Sequence, residues 1–293
     1  MQAHLQDSYD ICTEITKSEA KNFYYAFITL PEYKRMGIYA VYAFARHCDD
    51  ISDDKQSQDQ FEQYTSLRKE LKLSIEGRVT NNPIMPALID TINKFSIPDS
   101  YFYELIDGVE MDLTKSRFLT FEELKEYCYK VASIVGLISI NIFGYKGADA
   151  NKYAIDLGSA MQLTNIMRDL KEDAERDRIY IPQEEMNRFR YKETEMLNGQ
   201  INDNFRNLME FQVKRARSYF DSGSNLLEFL QEDAKGCTNI LHNLYSRILD
   251  RIEDHEYDVF SSRISLSSFE KITIMTKFFL ISVMNKINIT KHN

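Results

Sequence analysis

The chain has 293 residues, a formal net charge of −9, 43% hydrophobic residues and 28% charged residues. Ten glycines and five prolines are less than half of the average share, which argues against a many-stranded sandwich, barrel or doubly wound sheet. The apolar content is sufficient for a large core and excludes wholesale disorder, and the acidic balance is the opposite of that in a general nucleic-acid binder.

Apolar residues recur at three- and four-residue steps along most of the chain, which predicts an all-α protein. Thr120, with Glu123 three residues later, predicts a helix start with a capping box. No composition shift marks a domain boundary, so we expect a single domain over residues 1–293. In chain order, the predicted helices are 8–27, 32–50, 61–75, 85–95, 101–113, 121–143, 148–173, 202–230, 235–252 and 267–284.

Neither a secretory signal nor a disulfide framework is indicated. Residues 1–10 lack a basic start and an apolar stretch, and the four cysteines are widely scattered. The most apolar C-terminal run, residues 278–284, is too short to span a bilayer. We therefore expect a cytoplasmic protein that rests at most peripherally on the cytoplasmic face of a membrane, with no segment long enough to span one.

An acidic cluster follows the predicted helix 32–50. Asp49 and Asp53 are four residues apart and share one side of a helix whose earlier turns are apolar. Two carboxylates one turn apart repel each other at a helix C-terminus, where the dipole disfavours negative charge. We expect a positive group to compensate for them.

A second polar stripe runs along the predicted helix 148–173. Gln162, Asn165, Asp169 and Asp173 step by three, four and four residues, and the residues between them are largely apolar. Because oxygen-bearing side chains among core residues are costly to bury without partners, we expect this stripe to face an interior cavity.

The two clusters together predict a magnesium site. Carboxylate oxygens suit Mg²⁺, which is commonly shared between protein carboxylates and substrate phosphates. An acidic cavity needs such a metal to bind a phosphate ester, because the metal inverts the local charge. Either cluster alone is as well explained by an acidic helix end, whereas both in one helical chain favour a diphosphate site.

Four separated motifs in this chain resemble those of the squalene/phytoene synthase family, the head-to-head trans-isoprenyl diphosphate synthases. The resemblance covers nearly the whole length. The motifs are A-K-N-F-Y-Y-A-F with Leu30-Pro31, Y-A-V-Y-A-F-A-R running into the first Asp-rich motif, D-G-V-E-M-D-L with Y-C-Y-K-V-A-S-I-V-G, and the second Asp-rich motif with R-I-Y-I-P.

The resemblance implies an all-α isoprenoid synthase fold with a deep central cavity and Mg²⁺ ions that bridge the two Asp-rich motifs. Carried over by position, it implies metal ligands at Asp49, Asp53, Asn165, Asp169 and Asp173. It implies catalytic roles for the four aspartates of that set and for Tyr127, near the reacting carbons. It implies substrate-binding roles for Arg46, Asn22, Gln162, Tyr245 and Arg263. Ala20 and Asn22 are departures from the family pattern, since many members have serines at these two positions.

The implied reaction joins two prenyl diphosphates through presqualene diphosphate. We expect the C15 substrate, farnesyl diphosphate, because the aromatic cluster at 23–27 and the bulky residues at 137–143 would shorten the tunnel. Phytoene synthesis from the C20 substrate, geranylgeranyl diphosphate, is the alternative. NADPH is neither indicated nor excluded, because no G-x-G-x-x-G follows a strand and reductive members of the family lack that motif too.

Other functions fit part of the pattern. The D-D-x-x-D form at 49–53 also fits a head-to-tail chain elongase or a terpene cyclase. A non-catalytic family relative, acting in assembly or lipid binding, is disfavoured because both Asp-rich motifs are complete. The expected partners are prenyl diphosphates and a membrane surface, without nucleic acid, and the sequence does not fix the oligomeric state.

Overall fold

A computed structural model describes residues 2–20, 23–53 and 59–277, without the side chains of residues 2, 3 and 53. These residues form α-helices and no β-strand, which confirms the all-α prediction. The α-helices are α1 Gln2–Glu19, α2 Phe23–Phe27, α3 Glu32–Asp53, α4 Gln60–Ile75, α5 Met85–Phe95, α6 Ser100–Glu110, α7 Phe121–Cys128, α8 Ile134–Phe143, α9 Asp149–Arg168, α10 Leu170–Glu175, α11 Gln183–Arg188, α12 Glu193–Leu197, α13 Asp203–Ser224, α14 Leu226–Phe229 and α15 Glu232–Asp254. Residues 268–277 are also helical.

Several predicted helices are divided in the structure. The predicted helix 148–173 is interrupted at Asp169, which separates α9 from α10 and has a φ of −101° and a ψ of 15°. The predicted helix 202–230 is likewise divided at Asn225 into α13 and α14. Two short helices, α11 and α12, lie between the predicted helices 148–173 and 202–230, where no helix is predicted. Short helices of this kind bury few residues and therefore leave little apolar periodicity in the sequence.

Helix α9 lies at the centre of the molecule and packs against α8, α13 and α15. Its buried residues include Ala154, Ala160 and Leu163, whose small and medium side chains allow neighbouring helices to approach. Helix α3 packs against α1, α5, α6 and α8. The inner faces of α3, α8, α9 and α15 surround an apolar cavity that is described below.

One long helix runs from Phe121 to Phe143 and contains a π-helical segment, Tyr129–Ser133, between α7 and α8. A short π-helical segment adds one residue to a helical turn and so changes the direction of the side chains. Such segments occur often at functional sites. The segment packs closely on α9, where a Cβ on Gly158 would lie 2.8 Å from the carbonyl oxygen of Ala132. Glycine is therefore needed at position 158 for this helix contact.

The same helix, Phe121–Phe143, is long and apolar enough to cross a membrane by length and composition. The expectation that no segment reaches this limit is therefore wrong for this helix. Half of its most apolar window is buried inside the protein, and α6, α9 and α3 pack against it. Core helices of globular proteins can be equally long and apolar, so the length and composition of this helix are weak support for a membrane span.

Candidate active site

An apolar cavity of about 270 Å³ lies between α3, the π-helical segment, α8, α9 and α15. Its polar groups come from both predicted clusters, because Asp49 of α3 and Gln162 and Asn165 of α9 line it. Most of the remaining wall is aliphatic and aromatic. The expectation that the stripe on α9 faces an interior cavity therefore agrees with the positions of its first two residues.

Aromatic rings form one wall of this cavity. Phe23 of α2 lies 5.9 Å from Tyr245 and 6.2 Å from Tyr42, measured between ring centroids, and 6.0 Å from Phe27. All four side chains line the cavity. Such rings have electron-rich faces and can stabilise a positive charge on a bound molecule.

Asn165 has an unusual environment at the polar end of the cavity. Its amide nitrogen donates to Gln162 Oε1 at 3.3 Å, whereas its Oδ1 atom is buried and accepts no hydrogen bond from the described part of the protein. Leaving a buried oxygen without a partner costs free energy. A cation or a bound donor at this oxygen would remove that cost.

Asp169, at the break between α9 and α10, is held by two arginines. Arg168 donates from Nε to Oδ1 at 2.9 Å and from Nη2 to Oδ2 at 2.5 Å, and Arg263 donates to Oδ1 from Nε at 3.0 Å and Nη2 at 2.9 Å. One turn later, burial raises the pKa of the Asp173 carboxyl to about 7, with Asp169 adding to the rise and Arg178 opposing it. The second Asp-rich motif is thus a charged cluster that other groups partly neutralise.

Arg46 does not line the apolar cavity, and its predicted contact with diphosphate oxygens stays a prediction. Its Nη2 atom forms an ion pair with Asp50 Oδ1 at 2.6 Å. Arg46 and Asp50 line a separate cleft, together with Glu19 and His47, whereas Asp49 lines the apolar cavity. Asp49 and Asp50 are successive residues of α3, about 100° apart around the helix axis, and therefore line different spaces.

Tyr127 is buried beside the cavity wall but is not among the residues that line it. Its hydroxyl donates to Asp112 Oδ2 at 3.1 Å, and the hydroxyl of Tyr180 donates to Asp112 Oδ1 at 2.8 Å. Burial raises the pKa of Tyr127 well above its ordinary value, with Tyr180 and Asp112 adding to the rise. Tyr127 is therefore a neutral hydrogen-bond donor in this arrangement, and its predicted place near the reacting carbons stays a prediction.

Asp112 and Lys34 have notable positions to which the sequence assigned no role. Asp112 accepts two phenol hydrogens and lies near Arg178, whose Nη2 donates to its backbone oxygen at 3.1 Å. The sequence signal for Asp112 was its place in the motif D-G-V-E-M-D-L, together with Tyr180 in the motif R-I-Y-I-P. No local signal existed for Lys34, because its partners come from distant parts of the chain.

Two predicted residues lie wholly or partly outside the described region. Asn22 is outside it, and of Asp53 only the backbone at the end of α3 is described. Among the described residues, no three acidic, histidine or cysteine side chains form a ready metal centre. The side-chain oxygens of Asp49 and Asn165 nevertheless suit a divalent cation whose coordination is completed by water and phosphate oxygens. Asn165 Oδ1 has no hydrogen-bond partner in the part of the chain that the structure describes.

Comparisons with known proteins identify the family of this chain. The family model for squalene/phytoene synthase matches residues 16–270. The chain is 37% identical to the 15-cis-phytoene synthase of Synechococcus elongatus over 283 residues, which is 92% of each chain. It is 36% identical to the 15-cis-phytoene synthase of a Synechocystis species, over 92% of this chain and 84% of the relative.

Solved structures of similar proteins share the fold. A dehydrosqualene synthase in complex with a ligand superposes with a TM-score of 0.87 at 30% identity, over 94% of this chain and 97% of that structure. A squalene synthase from Alicyclobacillus acidocaldarius gives a TM-score of 0.82 at 26% identity, over 87% and 97%. The chain therefore belongs to the squalene/phytoene synthase family, whose members are prenyltransferases that join two prenyl diphosphates head to head.

Proposed function

We propose that this protein condenses two molecules of geranylgeranyl diphosphate, through a cyclopropyl diphosphate intermediate, to a C40 hydrocarbon of the phytoene type. The observation that supports the C20 substrate is the identity of 36–37% with cyanobacterial phytoene synthases over more than nine-tenths of this chain. These relatives support the C20 substrate better than the C15 substrate that the sequence favours.

The cavity suits the chemistry of such a reaction. Its apolar wall can take the prenyl tails, and its polar end, at Asp49, Gln162 and Asn165, can orient the diphosphate. Ionisation breaks the bond between the allylic C1 and the diphosphate oxygen and leaves an allylic cation. The rings of Phe23 and Tyr245 line the same space and can stabilise that charge, while the apolar wall excludes the water that would quench it.

We further propose Mg²⁺ as the cofactor. When bound, it would neutralise the diphosphate and make it a better leaving group. Asp49, Asn165, Asp169 and Asp173 would contribute oxygen ligands, and Asp53 remains a predicted member of that set. Asp169 would have to release Arg263, whose side chain is 57% exposed and which is therefore the easier of its two partners to displace.

The C15 substrate is the second candidate, because the dehydrosqualene synthase structure superposes over 94% of this chain. The two candidates differ in one isoprene unit, whose five carbons would stabilise binding by burial only if the cavity has room for them. Their specificity therefore depends on the shape of the closed end of the cavity.

A competition experiment tests the proposal. The purified protein is incubated with Mg²⁺ and equal concentrations of farnesyl and geranylgeranyl diphosphate, with and without NADPH, and hydrocarbons are separated by mass. We expect mainly a C40 product that is independent of NADPH. A C30 product in excess would instead establish the C15 substrate, and products of head-to-tail elongation would refute the proposed reaction.

A further inference from the structure

The end of the cavity farthest from its polar groups, here called the floor, is built from three elements. Ile38 lies eleven residues before Asp49 on α3, about 16 Å along the helix axis. Thr238 lies seven residues before Tyr245 on α15, about 10 Å along that axis. Phe143, the last residue of α8, lines the same cavity. The floor therefore depends on how α3, α8 and α15 are held together.

Lys34 connects these three elements from within the protein. It lies in the first turns of α3, and its side chain is only 2% exposed. Its ammonium donates to the carbonyl oxygen of Phe143 at 2.7 Å, to Gln231 Oε1 at 2.8 Å and to Asp233 Oδ1 at 2.6 Å. A lysine has three donors, so each of them has a partner here, as a buried charge requires.

Each of these bonds reaches an element of the floor. Lys34 is one turn before Ile38 on α3 and shares a face with it. Phe143 supplies both an accepting carbonyl and a side chain of the wall, while Asp233 lies in the first turn of α15, five residues before Thr238. One ammonium group thus fixes the relative positions of the parts that close the cavity.

The chain around this lysine is also paired through its backbone. The amide of Gln231 donates to the oxygen of Gly144 at 2.9 Å, and the amide of Lys146 donates to the oxygen of Phe229 at 2.9 Å. Gly144 has a φ of 72°, and a Cβ there would overlap the side chain of Gln231. The floor is therefore built to hold one geometry, with Lys34 at its centre.

We propose that Lys34 is a positioning residue that limits the length of the prenyl tail which the cavity accepts. The proposal rests on the proposed function only in that prenyl tails occupy this cavity. A tail that is one isoprene unit too long must displace Ile38 or Phe143, and that displacement strains the charge-assisted hydrogen bonds of Lys34. Without these hydrogen bonds the residues of the floor move apart more easily, and the cavity discriminates less against the longer tail.

The test compares three variants by the binding of non-hydrolysable C15, C20 and C25 prenyl thiodiphosphates, measured by calorimetry. Lys34→Met keeps the apolar stem and removes the ammonium, and Lys34→Arg retains a charged donor. Arg215→Met is the matched control, because Arg215 pairs with the buried Glu185 and neither residue lines the cavity. Melting temperatures are recorded for all of them.

For Lys34→Met we expect the affinity for the longer tail, relative to the tail that the wild type prefers, to rise about tenfold. Lys34→Arg should restore most of the discrimination, and Arg215→Met should leave it unchanged even if its melting temperature falls. Wild-type discrimination in a folded Lys34→Met protein overturns the proposal. An equal change in Arg215→Met overturns it as well, because general loosening would then explain the effect.

A fourth variant, Asp233→Asn, keeps the inference testable if Lys34→Met does not fold. Asp233→Asn removes only the charge of one acceptor, whose side chain is 29% exposed. We expect it to fold and to shift the relative affinity in the same direction by a smaller factor, and unchanged discrimination overturns the proposal. A wild type that prefers the C15 tail would contradict the proposed function alone, since the effect of Lys34 is measured relative to whichever tail the wild type prefers.

Discussion

Arg263 reaches Asp169 across 94 residues of sequence, and its Nε and Nη2 atoms lie 3.0 and 2.9 Å from the same carboxylate oxygen. Arg168 occupies that oxygen and the other one. A carboxylate of the second Asp-rich motif is thus neutralised by one partly buried arginine and one exposed arginine. Because exposed ion pairs are weak, we expect Arg263 to leave Asp169 and bind an incoming diphosphate.

We expect Arg263→Gln to raise the KM for the prenyl diphosphate about tenfold, as the loss of one charge-assisted hydrogen bond would. Its melting temperature should hardly change, since the side chain of Arg263 is 57% exposed. Arg263→Lys should recover only part of the affinity, because an ammonium cannot bind two oxygens in a fork. Steady-state kinetics with Arg206→Gln as a surface control would measure this, and an unchanged KM would exclude the role.

The metal proposal leads to a second prediction. Asp49→Asn and Asp169→Asn should each lower kcat/KM by about a hundredfold or more, because each removes charge from the metal site. Both variants should fold, and chelation by EDTA should abolish the activity of the wild type. Asp203→Asn, at an aspartate that is 99% exposed, is the control. Full turnover of either variant, or of the wild type in excess EDTA, would contradict the metal site.

The sequence predicts the helices well where an apolar face continues for several turns. It misses the break at Asp169 because the residues on both sides, Met167 and Leu170, are buried as a continuous helix would bury them. The break is visible only in the backbone angles of Asp169. A distortion of the backbone at one residue within an apolar face leaves no sign in the periodicity.

Side-chain partners were predictable only within a helix. The ion pair of Arg46 with Asp50 follows from a four-residue spacing that the sequence displays, although the family resemblance favours a different role. Lys34 shows the opposite case. A lysine in the first turns of a helix is normally solvated, and it is buried here because its acceptors come from residues 143, 231 and 233.

Membrane association is the third prediction. We expect peripheral attachment, because the proposed substrates have long apolar tails while the apolar helix Phe121–Phe143 is half buried in the core. Inserting this helix into a bilayer would expose the cavity wall that it forms with α9. High salt or alkaline carbonate should therefore release the protein from isolated membranes, with an integral membrane protein as the retained control. Retention after both washes would contradict the prediction.

The last prediction concerns Glu270, which fastens the segment that carries Arg263. Ser267 donates to Glu270 Oε2 from its backbone nitrogen at 3.0 Å and from its hydroxyl at 2.9 Å, and the amide of Glu270 donates back to Ser267 Oγ at 3.2 Å. Arg247 and Arg251 of α15 donate to Oε1 at 2.8–3.2 Å. The reciprocal capping box fixes the start of helical residues 268–277, and the two arginines tie that start to α15.

These bonds lower the pKa of the Glu270 carboxyl to about 2, the backbone hydrogen bond from Ser267 contributing most. A carboxyl with a pKa below its unfolded value of about 4.5 stabilises the fold above that value, and this contribution is lost as the pH falls from about 4.5 towards about 2. Glu270→Gln should therefore lower the free energy of unfolding by about 1 kcal/mol at pH 7. The difference from the wild type should shrink below pH 4.5, as denaturant titrations at pH 7, 5 and 3.5 would show.

The same variant should raise the KM for the diphosphate, because residues 261–267 then position the backbone of Arg263 less firmly beside the second Asp-rich motif. Glu256→Gln is the matched control, since that carboxylate is 82% exposed and forms only a 3.9 Å ion pair with Arg206. A difference between wild type and Glu270→Gln that stays constant from pH 7 to 3.5 would show that the charge of Glu270 is not what holds this segment. A KM that rises equally in Glu256→Gln would show that the segment does not position Arg263.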